Sequence, residues 1–261
     1  MIRTARARRL AAFFGAVALV LSATARGAPS VDCGPPPDGA ICANGPWFDF
    51  ATMNVRLVQG TVTANHEITQ GAGQDLLVRT DETNPRFRGR AEAMLIAGAV
   101  VATRSDGSLP ATGEELLGDP LLASQEVAGL LQTALPRGPG VTTGRRRIDV
   151  AGTRVFTAQT PQSTSLFGPP WRLEGTVTAK GARAFDFELV FSFRLVGPDS
   201  RVSERRHVHR YRGSATYPVK RPAIPDSMSL AGWRITGPQG GTYTYATLGE
   251  ARRALGVAPA R

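Results

Sequence analysis

Apolar and polar residues alternate most regularly between Trp171 and Leu195. Trp171, Leu173, Gly175, Val177 and Ala179 fall on one side of an extended segment, with Arg172, Glu174, Thr176, Thr178 and Lys180 on the other. After Lys180-Gly181-Ala182, Phe185, Phe187, Leu189, Phe191, Phe193 and Leu195 oppose Asp186, Glu188, Val190, Ser192 and Arg194. A period of two marks a half-buried strand, whereas a helix would scatter these phenylalanines around its circumference. The pair predicts an antiparallel hairpin with one wet and one apolar face.

The alternation continues beyond Gly197-Pro198-Asp199. His207, His209, Tyr211 and Ala215 share one side, and Arg206, Val208, Arg210 and Arg212 the other. Further strands are expected at Val55–Ala64, Leu76–Arg79, Ala91–Thr103, Ile148–Thr157, Leu230–Thr236 and Thr242–Tyr245. Short strands divided by Gly, Pro and Asp turns predict a mainly β fold. The expected form is a single curved antiparallel sheet, a half-barrel or barrel, with one or two inserted helices and a short C-terminal helix. Arg56–Ala64 and Arg172–Ala179 also echo one another as RLVQGTVTA and RLEGTVTA.

Two places switch to helical spacing. Thr112 and Glu115 form a capping box whose turn stops at Gly118, and Asp119 then caps a second helix with Pro120 at its first position. Ala123, Val127, Leu130, Leu131 and Ala134 form its apolar stripe, and Pro136 ends it. The helical insertion therefore spans about 113–135. Near the C-terminus, Thr247 and Glu250 form another capping box before Leu248, Ala251 and Leu255, with Gly256 as the stop.

The first residues change the picture. Arg3, Arg6, Arg8 and Arg9 precede an apolar run from Leu10 to Leu21, followed by Ala23-Thr24-Ala25. That is the layout of a secretory leader (residues 1–25) cleaved near Ala25, and the run is too short to span a bilayer stably. The expectation is an exported protein, periplasmic or secreted. Residues 26–46 form a Cys/Pro-rich loop, and 47–261 a single β-rich domain. Cys33 and Cys42 flank Gly34–Ile41, whose Pro and Asp-Gly residues favour a reversal, so an oxidising compartment predicts a disulfide.

The chain of 261 residues has a net charge of +10, nearly all of it arginine. Its arginines are dispersed except at Arg145-Arg146-Arg147 and between Arg205 and Arg212. An exported chain of this pattern predicts a solvated basic face or, as its natural partner, an anionic envelope surface or another envelope protein, and not nucleic acid. His207 and His209 project to one face, but no third ligand follows from the spacing, and no metal or cofactor is expected. Serine-nucleophile, P-loop and dinucleotide signatures are absent, so no enzyme is predicted.

Two functions remain open. The aromatic face is either the filled core of an adaptor with a basic partner-binding surface, or the wall of a cavity for a hydrophobic small molecule or acyl chain. In the second case Trp171, Phe185, Phe187, Phe191, Phe193, His207, His209 and Tyr211 form the wall. Val127, Leu130 and Leu131 of the helix then roof it. Trp171-Arg172-Leu173-Glu174-Gly175 and the alternating strand resemble the Trp-x-x-x-Gly strand opening of the LolA/LolB class of periplasmic lipoprotein carriers. The resemblance covers about Trp47 to Thr236. It implies a curved antiparallel half-barrel with helices closing a hydrophobic concavity that carries acyl chains. A lipocalin-like closed barrel fits the strand pattern as well.

Overall fold

The computed structural model describes residues 40–42, 46–83, 88–106, 113–140, 143–159, 164–197, 199–217, 220–237 and 241–257. The leader, Cys33 and Thr112 lie outside the described residues, so the leader, the disulfide and the first capping box have no structural counterpart to report. Among the described residues the fold is mainly β and antiparallel, with two helices. It divides into two compact units, each assembled from separated stretches of chain.

One unit takes its described residues from Pro29–Asn65 and Leu122–Tyr217. Its strands are β1 (Ala40–Cys42), β2 (Thr52–Gln59), β7 (Arg145–Gly152), β8 (Phe156–Gln159), β9 (Thr164–Ala179), β10 (Ala184–Val196) and β11 (Val202–Thr216). The hairpin expected from the alternation is present. Phe185 pairs with Ala179 and Leu189 with Gly175 across β9–β10, and β11 and then β2 continue the ladder antiparallel. On its other edge, β9 is long enough to pair β8 through Phe167 and then β7 from Trp171 to Thr178. The strand expected over Ile148–Thr157 is therefore two, broken at Thr153–Val155. β1, ending at Cys42, adds to β8 in parallel.

The other unit takes His66–Leu121 and the described part of Pro218–Arg261. It contains β4 (Leu76–Thr83), β5 (Arg88–Ile96), β6 (Val100–Ser105), β12 (Arg234–Thr236) and β13 (Thr242–Tyr243), in the order β4-β5-β6-β12-β13. The single strand expected over Ala91–Thr103 is the β5–β6 hairpin. Its turn contains Ala97 and Gly98 at positive φ, and buried apolar residues on both sides hid it from the alternation. Met94, Ile96, Val100, Trp233, Ile235 and Leu248 belong to the core here.

β3 (Val62–Gln70) runs from one unit into the other. The strand expected over Val55–Ala64 is thus also two, because Gly60 turns with φ 61°. Helix α1 (Gly113–Ala134) likewise continues through both units. It is one helix and not the two expected, passing straight through Gly118 and Pro120. Leu116, Leu117, Ala123 and Val127 are all buried, so a continuous apolar stripe outweighs the local stop signal and the hydrogen bond that Pro120 cannot make.

Helix α2 (Leu248–Ala254) forms as its capping box predicts. Glu250 N donates to Thr247 Oγ1 at 3.3 Å, and Ala246 N donates to Glu250 Oε2 at 3.0 Å. Its Arg252 is buried and pairs with the buried Asp75, whose other carboxylate oxygen accepts from Ala97 N at 2.9 Å. Burial raises the Asp75 pKa, and the bonds from Ala97 and Arg252 pull it back down. A lone carboxylate there would be costly, so this pair fixes α2 against the turn before β4.

Candidate functional site

The residues expected to line a cavity come together on the inner face of β9, β10 and β11. Phe185, Phe187, Phe191 and Phe193 are at most 2% exposed. Phe191 and Phe193 stack with centroids 4.9 Å apart, and Phe167 meets Phe193 edge-on at 4.8 Å. Phe156 joins Trp171 at 5.1 Å, and Trp47 joins Phe185 at 5.2 Å. Val127, Leu130 and Leu131 of α1 are fully buried. The C-terminal end of α1 is held by Trp47, whose Nε1 donates to Leu135 O at 2.7 Å. Ring-on-ring contact of this kind is how a packed β core fills its interior.

A polar cluster lies within this aromatic layer. His209 Nδ1 is 3.1 Å from Glu126 Oε1 of α1 and 2.9 Å from the Tyr211 hydroxyl. Burial, reinforced by the Glu126 carboxylate, holds the Tyr211 pKa well above its ordinary value, so the phenol keeps its proton. His209 Nε2 is buried without a hydrogen-bond partner. Phe193 sits between the two histidines, stacked on His207 and edge-on to His209. His207 is partly exposed, and its pKa is lowered by desolvation and then by Arg205 and His209. Glu126 escaped the sequence reading, although a carboxylate three residues from Ala123 and four from Leu130 shares their side of the helix.

The outer face of the same strands carries a groove of about 680 Å³. Its floor follows one row of the sheet, in which Ile148 pairs Gly175, Gly175 pairs Leu189, and Leu189 pairs Tyr211. The side chains of Ile148, Leu189 and Tyr211 are buried beneath, so only backbone faces the groove. Gly175 has φ 153°, and a Cβ there would lie 2.0 Å from Glu188 O.

Arg145 and Arg147 form one wall of the groove and Arg210 and Arg212 the other, with Glu174, Thr176, Glu188 and Val190 between them. Strand alternation selects these arginines. Arg146 and Tyr211 project to the inner face, while their neighbours project outward. Two arginine clusters more than 50 residues apart in sequence thus meet at one site through β9 and β10.

The charges in the groove do not cancel. Arg212 Nε pairs Glu188 Oε1 at 3.2 Å, and Arg172 Nη2 pairs Glu174 Oε1 at 3.1 Å. Among the described residues, no ion pair is formed by Arg145, Arg147 or Arg210. The groove therefore keeps three uncompensated guanidinium groups, each with donors suited to carboxylate or phosphate oxygens. Among the described residues, no group of three or more His, Cys, Asp or Glu side chains is placed to hold a metal ion.

No protein-family model and no curated protein matches this chain, so the resemblance to the LolA/LolB class gains no support from a family match. Among solved structures, it is similar to a redesigned β-barrel, mFAP1, bound to DFHBI. The identity is 8%, the match covers 66% of this chain and 97% of that one, and the TM-score is 0.17. A likeness at that score carries no inference about ligand or function.

Proposed function

We propose that this chain is an exported binding adaptor that holds an anionic partner in the groove between β7 and β11. The observation that carries this reading is the convergence of Arg145, Arg147 and Arg210 on one recess, with no carboxylate paired to any of them among the described residues. The aromatic face supplies the packed layer beneath and keeps the groove floor rigid. A single exposed ion pair contributes little, but several uncompensated arginines around one recess attract an anion cooperatively and speed its association.

Retention on an anionic matrix such as immobilised heparin tests the reading. The Arg147→Ala/Arg210→Ala variant should elute at clearly lower salt than the parent. Arg183→Ala/Arg253→Ala, which removes the same charge from exposed positions outside the groove, should elute close to the parent. Equal shifts for the two variants would mean that net charge alone drives retention and would sink the proposal.

One observation favours a second reading, in which the chain carries a hydrophobic ligand with a polar end. His209 Nε2 is orphaned inside the aromatic layer beside Glu126 and Tyr211, and an unpaired buried nitrogen costs about 1–3 kcal/mol. An apolar chain entering beneath α1 could place a polar group against it. A fluorescent fatty-acid probe should then bind the parent and fail to bind Phe191→Glu while the circular-dichroism spectrum is retained. If the parent binds no such probe, or Phe191→Glu simply unfolds, Phe191 is core and this second reading fails.

A further inference from the structure

Taking the groove as the anion site proposed above, we infer that its occupant is an acidic oligosaccharide lying across the strands. The order of charges carries the argument. The Arg145/Arg147 wall on β7 and the Arg210/Arg212 wall on β11 are separated by β9 and β10. Three strand spacings put the walls about 14 Å apart along the sheet. Between them stand two carboxylates, Glu174 and Glu188, with the Thr176 hydroxyl. The site is therefore positive at both sides and acceptor-rich in the middle.

A contiguous polyanion does not suit that order. Duplex nucleic acid carries a charge about every 1.7 Å along its axis, and polyphosphate is denser still, so either would lay negative groups against Glu174 and Glu188. A bilayer presents its phosphates in a plane that meets the rims of the groove but not its floor. A glycan with acid groups spaced by neutral rings matches each part. Its carboxylates would meet the arginine forks bidentately at the two walls. Its hydroxyls would donate to Glu174, Glu188 and the Thr176 oxygen, which offer many acceptors. Val190 and the bare backbone at Gly175 leave room for the apolar face of a sugar ring.

Binding of labelled hyaluronan oligosaccharides of increasing length, in which a uronic acid alternates with a neutral amino sugar, to the exported protein tests this inference, with maltooligosaccharides, inorganic polyphosphate and anionic phospholipid vesicles as comparators. Oligomers long enough to reach both walls should bind about tenfold tighter than shorter ones, and maltooligosaccharides should not bind. Arg147→Ala and Arg210→Ala should each weaken the long oligomer about tenfold, the loss of one charge-assisted contact. Arg183→Ala should leave it unchanged. Glu188→Gln should raise affinity for polyphosphate relative to the hyaluronan oligosaccharide, because it removes the central repulsion.

Tight binding of polyphosphate or vesicles through the same arginines, equal to or above that of the hyaluronan oligosaccharide, would overturn the glycan inference and leave the groove as an anion site. Failure of every anionic probe to depend on Arg147 and Arg210 would overturn both.

Discussion

His66 shows how far one buried side chain can tie stability to pH. It is 4% exposed on β3 and shares a hydrogen bond with Thr80 Oγ1 at 3.1 Å. Burial lowers its pKa from 6.5 to about 4, so the folded protein holds the neutral ring and resists the proton that the unfolded chain accepts. The stabilisation is complete above pH 6.5 and is lost as the pH falls from 6.5 towards 4. At about 1.4 kcal/mol per unit, the loss from this residue approaches about 3 kcal/mol. Urea denaturation of the parent should show this fall, and His66→Gln should flatten it. An unchanged slope in His66→Gln would assign the pH dependence to other groups. The sequence carries the signal in its alternation, because Ala64 and Ile68 lie two residues away on the same side of β3 and the polar Asn65 and Glu67 on the other.

At the scale of elements, the two echoing segments show that the same residues need not form the same structure. RLEGTVTA stays within β9, and its Gly175 keeps the strand going at φ 153°, beneath the Glu188 carbonyl. RLVQGTVTA breaks into β2 and β3, and its Gly60 turns at φ 61°, where an added Cβ would meet nothing within 4 Å. The two glycines should therefore respond differently to a methyl group. Gly60→Ala pays only for its left-handed backbone, about 1–2 kcal/mol. Gly175→Ala must also displace backbone, so overpacking and strain together should destabilise by about 2–4 kcal/mol. Thermal or urea unfolding checks the order, and a milder effect at Gly175 would contradict it.

The elements themselves were legible wherever one face is buried and the other wet. The β9–β10 hairpin, the inward side of β11 and the α2 capping box follow from alternation and caps alone. Legibility failed where that contrast vanished. Residues 93–102 are apolar on both sides of Ala97-Gly98, so their turn was invisible. Gly118 and Pro120 read as a stop, although burial of Leu116, Leu117 and Ala123 carries the helix through. The groove was beyond reach for another reason. Each arginine cluster is plain in the sequence, but their meeting depends on β7 docking on β9, a register that no local pattern encodes.

For the molecule as a whole, the proposed export makes two expectations that can be checked near the N-terminus. Protein recovered from an exporting host should begin near Arg26, and its denatured, unreduced form should offer no reactive thiol at Cys33 or Cys42. A chain still beginning at Met1 would reject the leader, and two labelled cysteines would reject the disulfide. The bridge would close a short loop, stabilising by about 2–3 kcal/mol.

The long-range pairs carry one more consequence. Asp75 is paired by Arg252, 177 residues further on, and Trp47 O accepts from the Tyr217 hydroxyl across 170 residues. Neither unit is a contiguous stretch of chain, so neither can close until late segments have been synthesised. A polypeptide emerging from the ribosome N-terminus first can pair β4, β5 and β6 early, but β2 must wait for β11 and β6 for β12, since non-local pairing must wait for both ends. Topology alone postpones completion of the fold, and delay of that kind would suit the export proposed above, in which a chain threads a narrow channel while still extended.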